Sequence, residues 1–357
     1  MNTPVPTTAT NESVPVLDAH RFDEDALTRF MSDHVDGFAP PLEVTQFQGG
    51  MSNPTFMLTD GNGKRYVLRK KPPGKLLPSA HAVDREFKVI SALNATDVPV
   101  AKAYALCEDD AIIGQAFYIM EFLEGRVFRD VALPDLPPDE RRAIYESMND
   151  ALAKLHSVDF AAIGLSDYGR VGGYISRQVR RWSQQYEASK TDEIPEMDKL
   201  TAWLNDNMPD DSLTTIVHGD FRLENLIYHP TEPRVLAVVD WELGTLGNPL
   251  SDLAYNCLTY HYADPRWGDI IDLDYEATGI PSEEDYVAQY CARTGREIDD
   301  YTYYLVLSLF RFAAIIQGVY YRGVQGNAAT PAALQRKGKC ELLAKIAWTL
   351  VEKDGRA

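Results

Sequence analysis

The sequence predicts an α+β fold of two lobes, a small antiparallel-sheet lobe followed by a larger, mainly helical one. Two observations carry that expectation. Residues 42–69 hold three strand-like runs in under thirty residues, too close together for the crossovers that parallel pairing needs. Beyond Gly125 the apolar spacing changes to helical periodicity and keeps it almost to the C-terminus. With 357 residues, 45% of them hydrophobic, the chain can bury a sizeable core in one large domain or two.

Residues 1–16 are rich in Thr, Pro and Asn, without a basic start or an apolar run, and are expected to form a disordered leader rather than a signal peptide. Residues 23–35 set Ala26, Leu27, Phe30 and Met31 at helical spacing behind an acidic first turn. Strands are expected at 42–47, 55–59 and 66–69, the last two joined by the turn residues Asp60, Gly61, Asn62 and Gly63. A helix at 82–93 follows, then strands at 103–107 and 117–122 around an acidic turn, which closes a first lobe of 17–122. The second lobe, 123–357, is expected to carry helices at 138–156, 174–189, 197–207, 249–258, 282–294, 301–321 and 331–353, with short strands at 215–217 and 235–239. Ser282 and Gly295 mark a helix start and stop. The most apolar stretch, 303–321, contains Arg311, Gln317 and Gly318 and reads as a buried core helix rather than a membrane span. No internal repeat is visible.

Charge excludes some function classes. A formal net charge of −18 argues against a general nucleic-acid or anionic-membrane surface, since those partners need a clustered basic face. Residues 41–125 hold nine Lys/Arg against ten Asp/Glu, and that near-neutrality is what a lobe receiving a polyanion requires. Cys107, Cys257, Cys291 and Cys340 lack metal-ligand spacing and a dense disulfide pattern, so they read as reduced thiols of a cytoplasmic protein. Oligomeric state is not legible.

The most informative segment is 217–226, Val-His-Gly-Asp-Phe-Arg-Leu-Glu-Asn-Leu, followed by Val-Val-Asp-Trp-Glu at 238–242. It places Asp220, Asn225 and Asp240 at offsets of five and fifteen residues, on either side of a hairpin-like stretch. Phosphoryl transfer from ATP needs Mg²⁺, charge stabilisation and an oriented hydroxyl. Asp220 can face the acceptor while Asn225 and Asp240 hold the metal, since Mg²⁺ takes few protein oxygens beside phosphates and waters. Taken singly, Asp220 and Asn225 would be ordinary turn residues. Arg222 can neutralise charge on the transferring group or pair with Glu224 at the surface. His218 is read as holding the loop backbone rather than as a base.

Upstream, Gly49, Gly50, Ser52 and Asn53 lie between two strands, where glycines let backbone N–H groups approach phosphates. The run lacks the Gly-Lys-Ser/Thr ending of a Walker loop. Arg69 at a strand end and Glu86 on the next helix would fix nucleotide phosphates beneath that turn, or remain two surface charges.

These residues resemble the aminoglycoside phosphotransferase and choline kinase-like family, which shares the two-lobed protein-kinase fold; the resemblance covers residues 40–330. It implies that 218–225 is the catalytic loop, that 240–242 is the metal-binding Asp motif, and that 249–254, with Asp252, begins the helix supporting the loop. It further implies that Met120, Glu121 and Leu123 form the hinge receiving adenine, with ATP and Mg²⁺ as cofactors. Arg69 stands where protein kinases carry Lys, a departure in geometry and hydration. Residues 52–56, 67–70 and 173–182 most resemble the kinase-like domain that some proteins join to an acyl-CoA dehydrogenase, which implies a small-molecule kinase acting on a hydroxyacyl thioester.

Two acceptor classes remain open. A polycationic aminoglycoside would use carboxylates such as Asp272, Asp274, Glu276, Glu283 and Glu284, whereas a CoA ester would use cations. Arg177, Arg180 and Arg181, with Arg170 nearby, form a basic stripe around Trp182 that is also readable as a solvated helix face. Tyr320, Tyr321 and Arg322 offer a second lining or mere packing. The contrasting function class is a catalytically silent kinase-like module that only binds nucleotide.

Overall fold

The computed structural model describes residues 8–9, 13–47, 53–72, 82–328 and 330–356. In chain order the strands are β1 Thr8–Ala9, β2 Ser13–Val14, β3 Glu43–Phe47, β4 Thr55–Thr59, β5 Arg65–Lys70, β6 Ala103–Cys107, β7 Phe117–Glu121, β8 Val127–Phe128, β9 Thr215–Val217, β10 Leu226–Tyr228, β11 Val235–Val238 and β12 Thr245–Gly247. The helices are α1 Glu24–His34, α2 Val83–Leu93, α3 Asp110–Ile113, α4 Pro138–Ser157, α5 Tyr174–Ser189, α6 Pro195–Asp206, α7 Pro249–Asn256, α8 Tyr275–Thr278, α9 Glu283–Thr294, α10 Tyr301–Val324 and α11 Lys339–Lys353. They assemble into two compact units. The first holds Met1–Arg129, Phe160–Tyr168 and Leu223–Gly244, and the second the remainder.

The first unit is built on a six-stranded antiparallel sheet of order β2-β3-β4-β5-β7-β6. Alternation along β4 and β5 sends Phe56, Leu58, Tyr66 and Leu68 into one core with Phe117 and Ile119, where α1 adds Leu27, Phe30 and Met31. Each such large apolar side chain contributes roughly 1.5–3 kcal/mol when fully buried. The opposite parity of β5 carries Arg69, paired in register with Thr55 and Tyr118. Asp23 caps α1 by accepting the Ala26 N–H at 2.9 Å.

Segments 160–168 and 223–244 join this unit through α2 and β8. Arg85 donates to the carbonyls of Tyr168 at 2.7 Å and Gly244 at 3.4 Å, and Lys88 pairs with Asp167 at 2.6 Å. Arg126 and Tyr228 exchange two backbone hydrogen bonds of 2.8 Å, which fastens the β10–β11 hairpin. The sequence reading draws its boundary between 122 and 123 and keeps the whole of 123–357 together, because single-chain periodicity carries no sign of these returns.

In the second unit α5, α6, α7 and α11 pack on α10, which is buried along most of its length, while α4 packs against α9. This helix is long and apolar enough to cross a membrane, yet most of that stretch packs inside the protein. β9 pairs with β12, Thr215 against Gly247. Ser282 accepts the Asp285 N–H at 3.1 Å at the start of α9, and Gly295 ends it in the left-handed region.

Three expectations change. Instead of being disordered throughout, the leader supplies β1, paired with β8, and β2, paired with β3; Leu17 N–H also donates to Gln46 Oε1 at 3.1 Å. Backbone pairing covers the exposed edge of β3, an opportunity that polar composition does not reveal. The expected helix at 331–353 divides into a 3₁₀ turn, Pro331–Arg336, and α11, because Gly338 takes φ +77°. The three-residue strands β10 and β12 were not expected, being too short to show alternation.

A Cβ on Gly125 would collide with the Tyr228 carbonyl oxygen and lie 2.6 Å from Ile227 Cγ2. Gly125→Ala should therefore lower stability by about 1–3 kcal/mol, read as a reduced denaturant midpoint at unchanged slope.

Candidate active site

The expected site residues fall into two groups, one in each unit. In the first unit the β10–β11 register sets Leu226 opposite Val238, and the Val239 N–H donates to the Asn225 carbonyl at 2.9 Å. Asn225 and Asp240, fifteen apart in sequence, thus emerge at the same end of one hairpin. Asn225 is buried at the end of a short 3₁₀ turn, whereas the Asp240 side chain is 38% exposed. Asp240 adopts φ +68° and ψ +58°, a left-handed conformation that costs a non-glycine residue about 1–3 kcal/mol. The buried Trp241 ring, donating Nε1–H to the Val238 carbonyl at 2.9 Å, pins the residue that follows.

Behind this pair lies a buried polar cluster. Glu86, 1% exposed, accepts hydrogen bonds from Asn53 Nδ2 at 2.8 Å, the Tyr118 hydroxyl at 2.9 Å and Arg69 Nη2 at 3.5 Å, and its Oε2 lies 3.0 Å from Arg69 Nε in an ion pair. The same guanidinium reaches Asp240 Oδ1 through Nη2 at 3.4 Å. Burial pushes the Glu86 carboxyl upward, while Arg69 and Tyr118 pull it down. Burial also works against the Arg69 charge, but Tyr118, Glu86 and Asp240 more than offset it and raise its pKa. The alternative of two surface charges is thereby excluded for Arg69 and Glu86.

In the second unit, β9 ends in a turn with Gly219 at φ +83°, and Asp252 of α7 holds its backbone. Asp252 Oδ2 accepts the His218 N–H at 2.5 Å and Oδ1 the Gly219 N–H at 2.9 Å. His156 of α4 places Nε2 3.5 Å from Asp252 Oδ2, and its Nδ1 bonds the Tyr290 hydroxyl at 2.8 Å. Arg311 donates to the Gly219 carbonyl at 2.7 Å, and His218 Nδ1 accepts the Asp220 N–H at 3.3 Å. Asp220 also bonds the Tyr255 hydroxyl, and burial pushes that phenol upward. Arg222 places Nε 3.3 Å from Asp220 Oδ2, and its guanidinium packs over Trp267 at 5.0 Å. Asp220, two residues before Arg222, is therefore an ion partner of Arg222.

The remaining residues divide. Gly49, Gly50 and Ser52 lie outside the described residues. Met120 and Glu121 end β7, with Met120 opposite Val67 and the Glu121 N–H donating to the Lys102 carbonyl at 2.8 Å; Leu123 follows in the segment after the strand. The basic stripe is not a single surface. Arg177 donates to the carbonyls of Gly172 at 2.5 Å and Arg170 at 3.2 Å, and it shares with Arg180 a cavity of about 430 Å³ lined by α5 and α6. Arg181 lies over Trp182 at 5.2 Å. Tyr321 and Arg322 sit near the end of α10, Tyr321 half-buried and Arg322 exposed, and no contact brings them to Asp220 among the described residues.

Sequence reasoning missed Tyr118, His156, Tyr255 and Trp267. For His156 the available signal is a histidine on an otherwise apolar helix face; for Arg311, noted only as an interruption of an apolar run, it is the same kind of mismatch. Among the described residues no three His, Cys, Asp or Glu side chains are grouped to hold a metal. One carboxylate and one carboxamide at a hairpin end nevertheless fit a hard cation that draws its other ligands from phosphates and water.

Comparison with known proteins gives the family and the fold. The profile of the phosphotransferase enzyme family matches residues 43–288. A crystal structure from Ralstonia eutropha, provisionally named an aminoglycoside phosphotransferase, is 50% identical with a TM-score of 0.87, covering 93% of this chain and 99% of its own. Choline kinase from Cryptosporidium parvum, 13% identical with a TM-score of 0.65 over 94% of this chain and 98% of its own, shares the fold alone. The Arabidopsis thaliana probable acyl-CoA dehydrogenase IBR3 is 48% identical over 335 residues, 88% of this chain and 41% of that protein. Human acyl-CoA dehydrogenase family member 11 is 46% identical over 330 residues, 89% of this chain and 42% of that protein. The chain thus spans about two fifths of the length of these curated relatives. The expected protein-kinase-like fold is the fold observed.

Asp252→Ala should strand two buried backbone N–H groups at about 1–3 kcal/mol each, lowering the thermal midpoint. Acid should act on the same cluster. Burial lowers the His156 pKa from 6.5 despite Asp252, so below about 6.5 the unfolded chain takes up a proton that the folded chain refuses, and stability falls as pH falls toward the folded value. Asp252, where burial is outweighed by His156 and the His218 N–H, has a depressed pKa and loses its contribution only at still lower pH. Unfolding free energies of wild type and His156→Gln between pH 7 and about 5 should differ in slope, with the variant flatter; parallel slopes would refute the assignment.

Proposed function

The chain belongs to the phosphotransferase enzyme family, and from that premise we propose that it moves the γ-phosphoryl group of Mg·ATP to the hydroxyl of a small-molecule acceptor. The observation that carries the reading is the hairpin register bringing Asn225 and Asp240 to one end, with Arg69 linking Asp240 to the buried Glu86. Asn225 and Asp240 would hold Mg²⁺, whose charge would neutralise the phosphate oxygens. Arg69 would supply a fixed cation for the same phosphates, and the backbone at Met120, Glu121 and Leu123 would receive the adenine.

Asp220 is the group for the acceptor. Its carboxylate takes the hydroxyl proton as the acceptor oxygen bonds to the γ-phosphorus and the bond from that phosphorus to the bridging oxygen breaks, releasing ADP. Arg222, paired with Asp220 at 3.3 Å, holds the carboxylate in place and offers charge to the group in flight. The Asp252 bonds to the His218 and Gly219 N–H groups support the loop at little cost in motion. Asp220 and Asn225 lie five residues apart on one chain segment, so the same loop carries both roles.

For the acceptor we favour a hydroxyacyl thioester over an amino sugar. Two of the five carboxylates named for an aminoglycoside are committed elsewhere: Asp274 caps α8 at 3.0 Å, and Glu283 accepts from Tyr301 at 2.8 Å and contacts His261 at 2.8 Å. The relatives bearing acyl-CoA dehydrogenase names support the same choice.

A ³²P-transfer screen from Mg·ATP to hydroxyacyl-CoAs, other hydroxylated metabolites and aminoglycosides tests the reading. Asp220→Asn should reduce kcat ~10²–10⁴-fold while retaining nucleotide binding. Asp240→Ala should lose the Mg·ATP stabilisation of about 2.7 kcal/mol expected of wild type at a hundredfold excess over Kd. A wild-type chain whose melting ignores Mg·ATP would sink the proposal.

A further inference from the structure

In an acidic chain, the second unit contains one concentrated basic cluster. Asp264, 2% exposed, is approached by Arg266 Nε at 2.9 Å, Arg336 Nη1 at 3.3 Å and Lys339 Nζ at 3.5 Å. Arg266 alone satisfies this carboxylate in a two-pronged fashion, with Nη2 3.2 Å from Oδ2 as well. Arg336 and Lys339 therefore exceed what Asp264 needs, and one negative charge faces three positive ones. Their side chains are 17% and 26% exposed, open enough to meet a ligand without being mobile surface groups.

The cluster continues to Asp220. The Arg266 and Arg222 guanidiniums each lie 5.0 Å from the Trp267 ring centre, and Arg222 pairs with Asp220. Trp267 is fixed by its N–H donating to the Asp264 carbonyl at 2.8 Å, its carbonyl accepting from Val131 at 2.7 Å, and its ring against Phe312 at 5.4 Å. Nearby acids serve local turns: Asp130 accepts the Ala132 N–H and Asp269 the Ile271 N–H, each at 2.9 Å.

We propose that Arg266, Arg336 and Lys339, with the Trp267 ring, form a subsite for an anionic group, phosphate or carboxylate, of the acceptor whose hydroxyl meets Asp220. The part played by Asp220 rests on the phosphotransfer reading; anion binding does not. Guanidinium and ammonium groups together suit a tetrahedral or planar oxyanion, and the Trp267 ring, with the Arg222 and Arg266 guanidiniums over it, links that anion's cations to the group paired with Asp220. This places specificity beside α11 rather than on the α5 stripe, which the sequence leaves open between a CoA-ester contact and a solvated helix face.

Calorimetry on the full chain with free coenzyme A and with 3-hydroxybutanoate, without nucleotide, tests the subsite. Arg336→Gln/Lys339→Gln removes the two surplus cations while Arg266 keeps bracing Asp264, the separate Arg266→Gln variant removes the third cation, and melting curves report folding. At least one anion should bind wild type, with Kd raised at least about tenfold in both variants, and a neutral hydroxyacyl-pantetheine should show no matching loss. Which anion binds distinguishes phosphate from carboxylate. If neither binds, if folded variants bind as well as wild type, or if the neutral thioester suffers equally, the subsite is overturned. Transfer from Mg·ATP is read separately: an anion bound through these residues with no transfer to any hydroxylated compound removes the phosphotransfer reading and leaves the subsite standing.

Discussion

A carboxylate buried without water must be met by donors, and Glu86 is the place in the first unit where that requirement organises everything around it. It draws in Asn53, Tyr118 and Arg69, and so ties the segment before β4, the start of β7 and the end of β5 to α2. Arginine suits the position better than lysine would. Its Nη2 donates to Glu86 Oε1 at 3.5 Å and to Asp240 Oδ1 at 3.4 Å while Nε lies 3.0 Å from Glu86 Oε2, a spread of contacts that a single ammonium could not make with the same geometry. The departure from lysine noticed in the sequence is thus compatible with a charge bridge to the hairpin end.

The second unit solves a like problem with different partners. Asp252 is satisfied by two backbone N–H groups of the loop carrying Asp220 and lies beside His156, itself anchored on Tyr290. Both buried acids are structural groups whose cost is met by positioning something more exposed: Asp240 in one case, Asp220 in the other. The left-handed backbone at Asp240 fits this pattern, since local strain persists only where the surroundings over-determine a residue. The Trp241 hydrogen bond and the Arg69 contact are such constraints.

Much of the candidate site was legible because its members lie close in sequence. His218, Asp220, Arg222 and Asn225 occupy one loop, and the apolar run before Asp240 announces the strand that delivers it. The supporting residues were not legible. His156, Tyr118 and Trp267 lie 64, 102 and 47 residues from Asp220 by subtraction of their numbers, and each looks like ordinary packing until its contact is known. The α5 arginines failed in the opposite way: helical spacing made them a stripe, but Arg177 is spent on its own loop carbonyls and Arg181 on an adjacent indole.

Sequence by itself determined most element types, the change from strand-rich to helical texture, and the candidate groups for the proposed phosphotransfer, since periodicity and short motifs are local properties of the chain. Tertiary structure decided which of those groups are held and by what. The joining of Asn225 to Asp240 required a strand register, the neutralising of Glu86 and Asp252 required donors from distant segments, and the gathering of Arg266, Arg336 and Lys339 around Asp264 required the chain to fold back over some seventy residues. Burial makes an unpaired charge costly, so the partner that removes the cost is chosen by proximity in space, which residue spacing does not encode.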